Sequence, residues 1–153
     1  MPDTAPISDL PDHLGFWLRQ VSNHVSHSFA MKLSGRGVTV AEWVILRALY
    51  GRHALAPSAL AEEIGLTRGA ISKLADRLIA KNLVERKPDL KDRRAQTLAL
   101  SKAGAALVPD LATLADRNDA EFFAHLSPEE RSQLEGMLRR MVQQFQMTGM
   151  PVE

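Results

Sequence analysis

Between residues 68 and 94 the chain carries cations at spacings that suit a polyanion. Arg68, Ser72, Lys73, Asp76 and Arg77 fall opposite an apolar row of Ile71, Leu74, Ala75, Leu78 and Ile79 on a 3.6-residue period. A short polar run then brings Lys91, Arg93 and Arg94 beside Asp89 and Asp92. Ammonium and guanidinium groups bind phosphate oxygens, hydroxyls add further phosphate bonds, and an Arg fork matches the acceptor pair on a guanine edge. Gly69, on the same side, permits close approach to a ligand. A helix face with three cations is by itself ordinary solvated surface, so the elements around it decide its meaning.

Those elements read as mostly helical, with one small strand pair. Apolar residues from Leu10 through Leu14, Trp17, Leu18, Val21 and Val25 to Phe29 mark a long first helix that ends before Gly35. Thr39 and Glu42 form a capping-box pattern that opens a second helix, which stops near Gly51. A short third helix over 58–64 ends at Gly65, and a turn through Thr67 leads into a fourth over 68–81. Short helix, Gly-containing turn, second helix is a helix-turn-helix pattern. Asn82 suits a left-handed C-cap, after which Leu83 can pack back on Leu78. Extended runs over 83–87 and 96–100 flank the polar loop 88–95, giving the layout of a wing attached to a recognition helix. An Arg at such a loop's tip suits a narrow minor groove, and a neighbouring Asp can hold it in one rotamer. Ser101 starts a fifth helix that Pro109 can bend, and Ser127-Pro128-Glu129-Glu130 starts a sixth.

Charge supports the same face. From 68 to 102 there are ten Lys or Arg against four acids; from 110 to 153 there are four against eight. A net charge of +1 thus hides a basic block.

Here the sequence becomes specific. The run LTRGAISKLADRLIAKNLVERK, residues 66–87, resembles the recognition helix and first wing strand of the MarR family. DLKDRR, residues 89–94, is similar to that family's D-x-R-D-x-R wing motif, and VTVAEWVILRAL, residues 38–49, to its second helix. Element order extends the likeness over roughly 12–144. The resemblance implies a mainly α fold with a small β-wing, in which 38–104 forms a winged helix-turn-helix and 10–34 with 105–147 form helical dimerisation segments. It implies a transcriptional regulator, a repressor released by a small molecule, that binds a pseudo-palindromic double-stranded operator as a homodimer. Thr67, Arg68, Ser72, Lys73 and Arg77 would face the major groove or its phosphates. Arg94, beside Arg93, would enter the minor groove with Asp92 as its orienting partner. The sequence departs from the family in two places: Lys91 stands where the motif has Arg, and Asn82 where Gly is usual.

MarR-like proteins often bind small aromatic or phenolic anions between the dimer helices and the winged domain. Trp43, Arg47 and Tyr50 form an i, i+4, i+7 stripe on the second helix, and Trp17 can approach it from the first. Aromatic walls and one guanidinium suit an aromatic or anionic effector. The same spacing equally serves core packing, with Arg47 snorkelling to solvent. The stripes of the first helix and of the last (Leu134, Met137, Leu138, Met141, Val142, Phe145) exceed what a small domain easily covers, which favours pairing with a second copy.

Other classes find less support. There is no G-x-S-x-G, no phosphate loop ending in Lys-Ser/Thr and no H-E-x-x-H, so no enzyme is expected and no cofactor is called for. The absence of cysteine rules out disulfides and thiolate chemistry. A metal-responsive regulator would rest on His24 and His27 at i, i+3, with no further ligand on that helix. A winged helix used for protein contacts fits the basic block poorly. No apolar run reaches the ~20 residues of a membrane span, and residues 1–10 lack the pattern of a secretory signal, so a cytoplasmic location is expected.

Overall fold

A computed structural model describes residues 5–148. Residues 1–4, part of the segment read for an export signal, lie outside them. A 3-10 turn, Leu10–Asp12, precedes α1 (Leu14–Ser34), α2 (Val40–Leu49), α3 (Pro57–Ile64), α4 (Arg68–Ala80), β1 (Val84–Pro88), β2 (Gln96–Leu100), α5 (Lys102–Phe122) and α6 (Pro128–Thr148). Among the described residues no helix is long and apolar enough to cross a membrane.

The first helix is shorter than its apolar period implies. Asp9 N–H donates to the Asp12 carboxylate at 2.9 Å, and His13 is extended, so the chain turns once before α1 begins. The Trp17 indole donates to the Pro11 carbonyl at 2.8 Å and ties that turn to the helix. The Thr39–Glu42 box is only half formed. Thr39 Oγ1 accepts from Glu42 N–H at 3.2 Å, but the Glu42 carboxylate turns inward to Lys81 instead of back to the Thr39 amide.

β1 and β2 are antiparallel, with Val84 opposite Leu100 and Pro88 opposite Gln96. Leu55, just before α3, adds a third rung by exchanging two backbone bonds with Leu98 at 2.9 and 2.8 Å. β2 is also packed by α2, α3 and α5, and Thr97, Leu98 and Ala99 are all buried although strand side chains alternate. The core gathers Leu33, Ile45, Leu46, Leu60, Ile71 and Leu111, drawn from α1 to α5. Where α5 crosses α1, buried Asn118 accepts from Ser28 Oγ (2.8 Å) and Lys32 Nζ (3.1 Å) and donates to the Val25 carbonyl.

α6 is held to the end of α5 by an Arg131–Asp119 ion pair and starts with a complete capping box. Ser127 Oγ accepts from Glu130 N–H, and Glu130 accepts from Ser127 N–H, both at 3.1 Å. Beyond this, Leu138, Met141 and Val142 are exposed, as are Leu10, Leu14 and Leu18 at the other end of the chain.

Candidate nucleic-acid interface

The helix-turn-helix is built by local chemistry. Pro57 sits in the first turn of α3, where its missing N–H costs nothing. Gly65 closes α3 at φ 80°, and its N–H and that of Leu66 both donate to the Ala61 carbonyl. Thr67 caps α4, its Oγ1 accepting from Ala70 N–H at 3.1 Å. The hydroxyl hydrogen remains able to donate outward. Ile71, Leu74, Ala75 and Leu78 are buried and fix the rotation of α4. Arg68, Gly69, Ser72, Lys73 and Arg77 are exposed in consequence. Asp76, the one acid on this helix, is engaged by Arg86 of β1 at 2.6 Å, which ties the wing to the helix.

At the far end, Lys81 caps α4 and Asn82 adopts φ 60°. Leu83 N–H reaches back to the Leu78 carbonyl at 2.9 Å. The wing therefore begins directly after the helix that carries the exposed cationic face. Its base is closed from the other side. Ser101 N–H donates to the Leu83 carbonyl (3.0 Å), Ser101 Oγ to the Asn82 carbonyl (2.7 Å), and Gly104 lies directly against Leu83.

The aspartates of the wing act differently from the expectation. Asp92 Oδ1 accepts from the backbone N–H of Arg94 at 3.0 Å, and Asp89 Oδ1 from that of Lys91 at 2.9 Å. Among the described residues neither makes an ion pair with an Arg of the tip. Each folds a side-chain-closed turn, and Asp89 N–H to the Ala95 carbonyl seals the loop. Asp92 thus orders Arg94 through its main chain. Arg93 and Arg94 are exposed, and their guanidinium groups form no ion pair among the described residues.

Of the four residues read as a ligand site, three come together. Trp43, Arg47 and Tyr50 line an open cleft of about 520 Å³ with Arg52, Glu63 and Ile64. Arg47 Cζ lies 5.8 Å from the Tyr50 ring centroid, within cation–π range. Arg52 grips Glu63 through two bonds of 2.7 and 2.8 Å. Those hydrogen bonds hold the Glu63 carboxyl below its ordinary pKa and raise that of Arg52. Trp17 is not part of the cleft: it stacks edge-on against Phe16 and bonds Pro11. The inner edge of Trp43 meets Phe29 instead. His24 and His27 are exposed on α1, and among the described residues no group of three or more His, Asp or Glu is placed to hold a metal.

One pairing is absent from the sequence pattern, which gives Glu42 only a capping role and Lys81 only a place in the basic block. Glu42 is buried, and Lys81 Nζ donates to its carboxylate at 2.6 Å and to the Gly37 carbonyl at 2.7 Å. The available signal was register: Glu42 stands in line with Ile45, Leu46 and Leu49, an acid where the period asks for an apolar side chain.

Known proteins share this arrangement. A family model described as the MarR family matches residues 36–95. The Thauera aromatica protein assigned as a transcriptional regulator for the hcr operon is 31% identical over 132 residues, covering 86% of this chain and 80% of that protein. The HTH-type transcriptional repressor MdtR of Bacillus subtilis is 30% identical over 108 residues, 71% of this chain and 70% of its own. Among solved structures, a mutant MarR from E. coli complexed with operator DNA superposes with a TM-score of 0.81 at 26% identity, covering 88% of this chain and 99% of that one. The helix-turn-helix, the wing fixed to its end and these likenesses agree: the chain belongs to the MarR family of DNA-binding transcriptional regulators.

Proposed function

We propose that the protein is a homodimeric repressor, a binding protein without catalytic activity, that acts in the cytoplasm on a pseudo-palindromic operator. The observation that carries the proposal is the exposed row Arg68, Ser72, Lys73 and Arg77 on α4, whose only acid is neutralised by Arg86, continued by Arg93 and Arg94 at the wing tip. In this reading α4 enters the major groove, where Thr67 and Ser72 hydroxyls meet phosphates. Arg94, held by the Asp92 turn, reaches the flanking minor groove beside Arg93. The uncovered apolar faces at both chain ends support a second copy as partner. The operator complex of the E. coli relative and the repressor role of the B. subtilis relative support the ligand and its consequence.

The cleft at Trp43, Arg47 and Tyr50 supports a small aromatic anion as releasing effector: an aromatic wall with a guanidinium at its rim recognises an aromatic carboxylate. The test is selection of bound duplexes from random-sequence DNA. The expected result is an inverted repeat with half-sites about one helical turn apart, roughly 34–36 Å. Enrichment of no inverted repeat overturns the operator reading. A panel of benzoates should release wild type but not Arg47→Ala; equal release of both removes the effector site.

A further inference from the structure

Glu42 is the only charged residue buried among the described residues. A buried carboxylate is costly unless it is paired and hydrogen-bonded, and an apolar side chain of similar volume often serves stability as well or better. What the pair adds is direction. Lys81 is the cap residue that ends α4. Its ammonium bonds one acceptor in the first turn of α2 and another, the Gly37 carbonyl, in the segment between α1 and α2. The apolar row Ile71, Leu74 and Leu78 sets which face of α4 turns inward, and two short charge-assisted bonds add directional contacts at its end.

We propose that Glu42 and Lys81 are positioning residues for DNA recognition. They fix the end of α4 against α2 and so set how Arg68, Lys73 and Arg77 meet the duplex, while neither touches DNA. The inference rests on the reading of α4 as the helix that contacts DNA. It sets Lys81 apart from Arg68, Lys73 and Arg77 of the basic block, because its ammonium is turned to acceptors of the protein.

The test uses a labelled duplex recovered by selection on wild type, titrated by fluorescence anisotropy at several salt concentrations. The temperature is one at which circular dichroism shows each variant folded. Lys81→Met and Glu42→Gln should each weaken binding by about tenfold, with the slope of log affinity against log salt unchanged. The double variant should be no weaker than Lys81→Met alone, and Lys81→Arg, which keeps the positive charge and several donors, should restore most of the affinity. Should Lys81→Met fail to fold, Glu42→Gln, nearly isosteric, carries the test. Wild-type affinity in Glu42→Gln or Lys81→Met overturns the proposal, as does a lack of rescue by Lys81→Arg. A slope shallower by about 1 in Lys81→Met also overturns it, because Lys81 is then a phosphate contact. A wild type that enriches no duplex at all instead overturns the underlying reading of α4.

Discussion

Gly104→Ala sets helix propensity against packing, and the two disagree in sign. Gly104 lies in the first turn of α5, where alanine would gain up to about 1 kcal/mol of helix propensity. A Cβ there, however, would meet the Leu83 carbonyl oxygen at 2.1 Å and its carbon at 3.0 Å, both main-chain atoms. Ordinary contact starts at 3.4 Å, so α5 and the 82–83 turn must part by about 1.3 Å, the difference of the two distances. That movement breaks the Ser101 bonds to the Leu83 and Asn82 carbonyls. Two bonds at about 1 kcal/mol each and overpacking of about 1–3 kcal/mol, less the propensity gain, leave a net loss of about 2–4 kcal/mol. For a chain of this size that lowers the melting midpoint by roughly 5–15 °C. Thermal unfolding is followed by circular dichroism at one fixed concentration, since the midpoint of a dimer depends on concentration. Gly136→Ala is the control: exposed in α6, with nothing within 4 Å of an added Cβ, it should hold or raise the midpoint. A Gly104→Ala midpoint equal to or above wild type would refute the packing argument.

Five further outcomes are expected. Gly69→Ala finds open space, with only Thr67 Oγ1 at 4.0 Å, so stability should hold or rise while affinity for the selected duplex falls; unchanged affinity means DNA does not approach the backbone there. Arg94→Ala should cost about 1–3 kcal/mol of binding and reduce preference for flanking A·T pairs. Asp92→Ala should weaken binding too, despite removing negative charge, because the Arg94 turn opens; tighter binding would show the wing to be a solvated hairpin. Leu138→Asp combined with Val142→Asp should give monomer or insoluble protein in sedimentation, and an unchanged dimer would place the interface elsewhere. The Ser127 amide and hydroxyl hold the Glu130 carboxyl below the ordinary glutamate range. Its charged form is favoured by folding, so this support for the start of α6 is complete above the ordinary glutamate pKa and is lost as pH falls through the lowered value. An NMR titration of Glu130 with a midpoint at or above the ordinary value would refute it.

How far the sequence could be read follows from the range of each interaction. Asn82 at positive φ and the Ser127–Glu130 box depend on residues within a few positions of one another, and the structure has both in place. The wing was legible as a loop between extended runs because Leu78, Asn82 and Leu83 announce the reversal. Contacts across the chain were not legible. Glu42 meets Lys81 39 positions away, Leu55 meets Leu98, and Gly104 meets Leu83; no local pattern encodes these pairings. Trp17 shows the limit of periodicity. Its place in the apolar stripe was readable, but the stripe says nothing of the Pro11 carbonyl that draws its indole away from the cleft. Asp92 was assigned to the right neighbour through the wrong atoms, since side-chain and main-chain acceptance by an Asp two positions earlier leave the same sequence trace.

The closure at the base of the wing bears on how this surface can change over generations. Asn82 and Leu83 are stapled to Ser101 and Gly104, and Leu98 is paired with Leu55, so the loop at the wing's tip is carried on two strands whose bases are fixed. Lengthening a loop whose ends are already held costs little entropy, growing only with the logarithm of its length. Residues 89–95 can therefore be lengthened, shortened or exchanged with little disturbance to α4 or α5. On the proposed reading, reach into the minor groove becomes a trait that mutation can vary separately from the residues facing the major groove, and a designer could graft the tip of one wing onto another without rebuilding the helix beneath it.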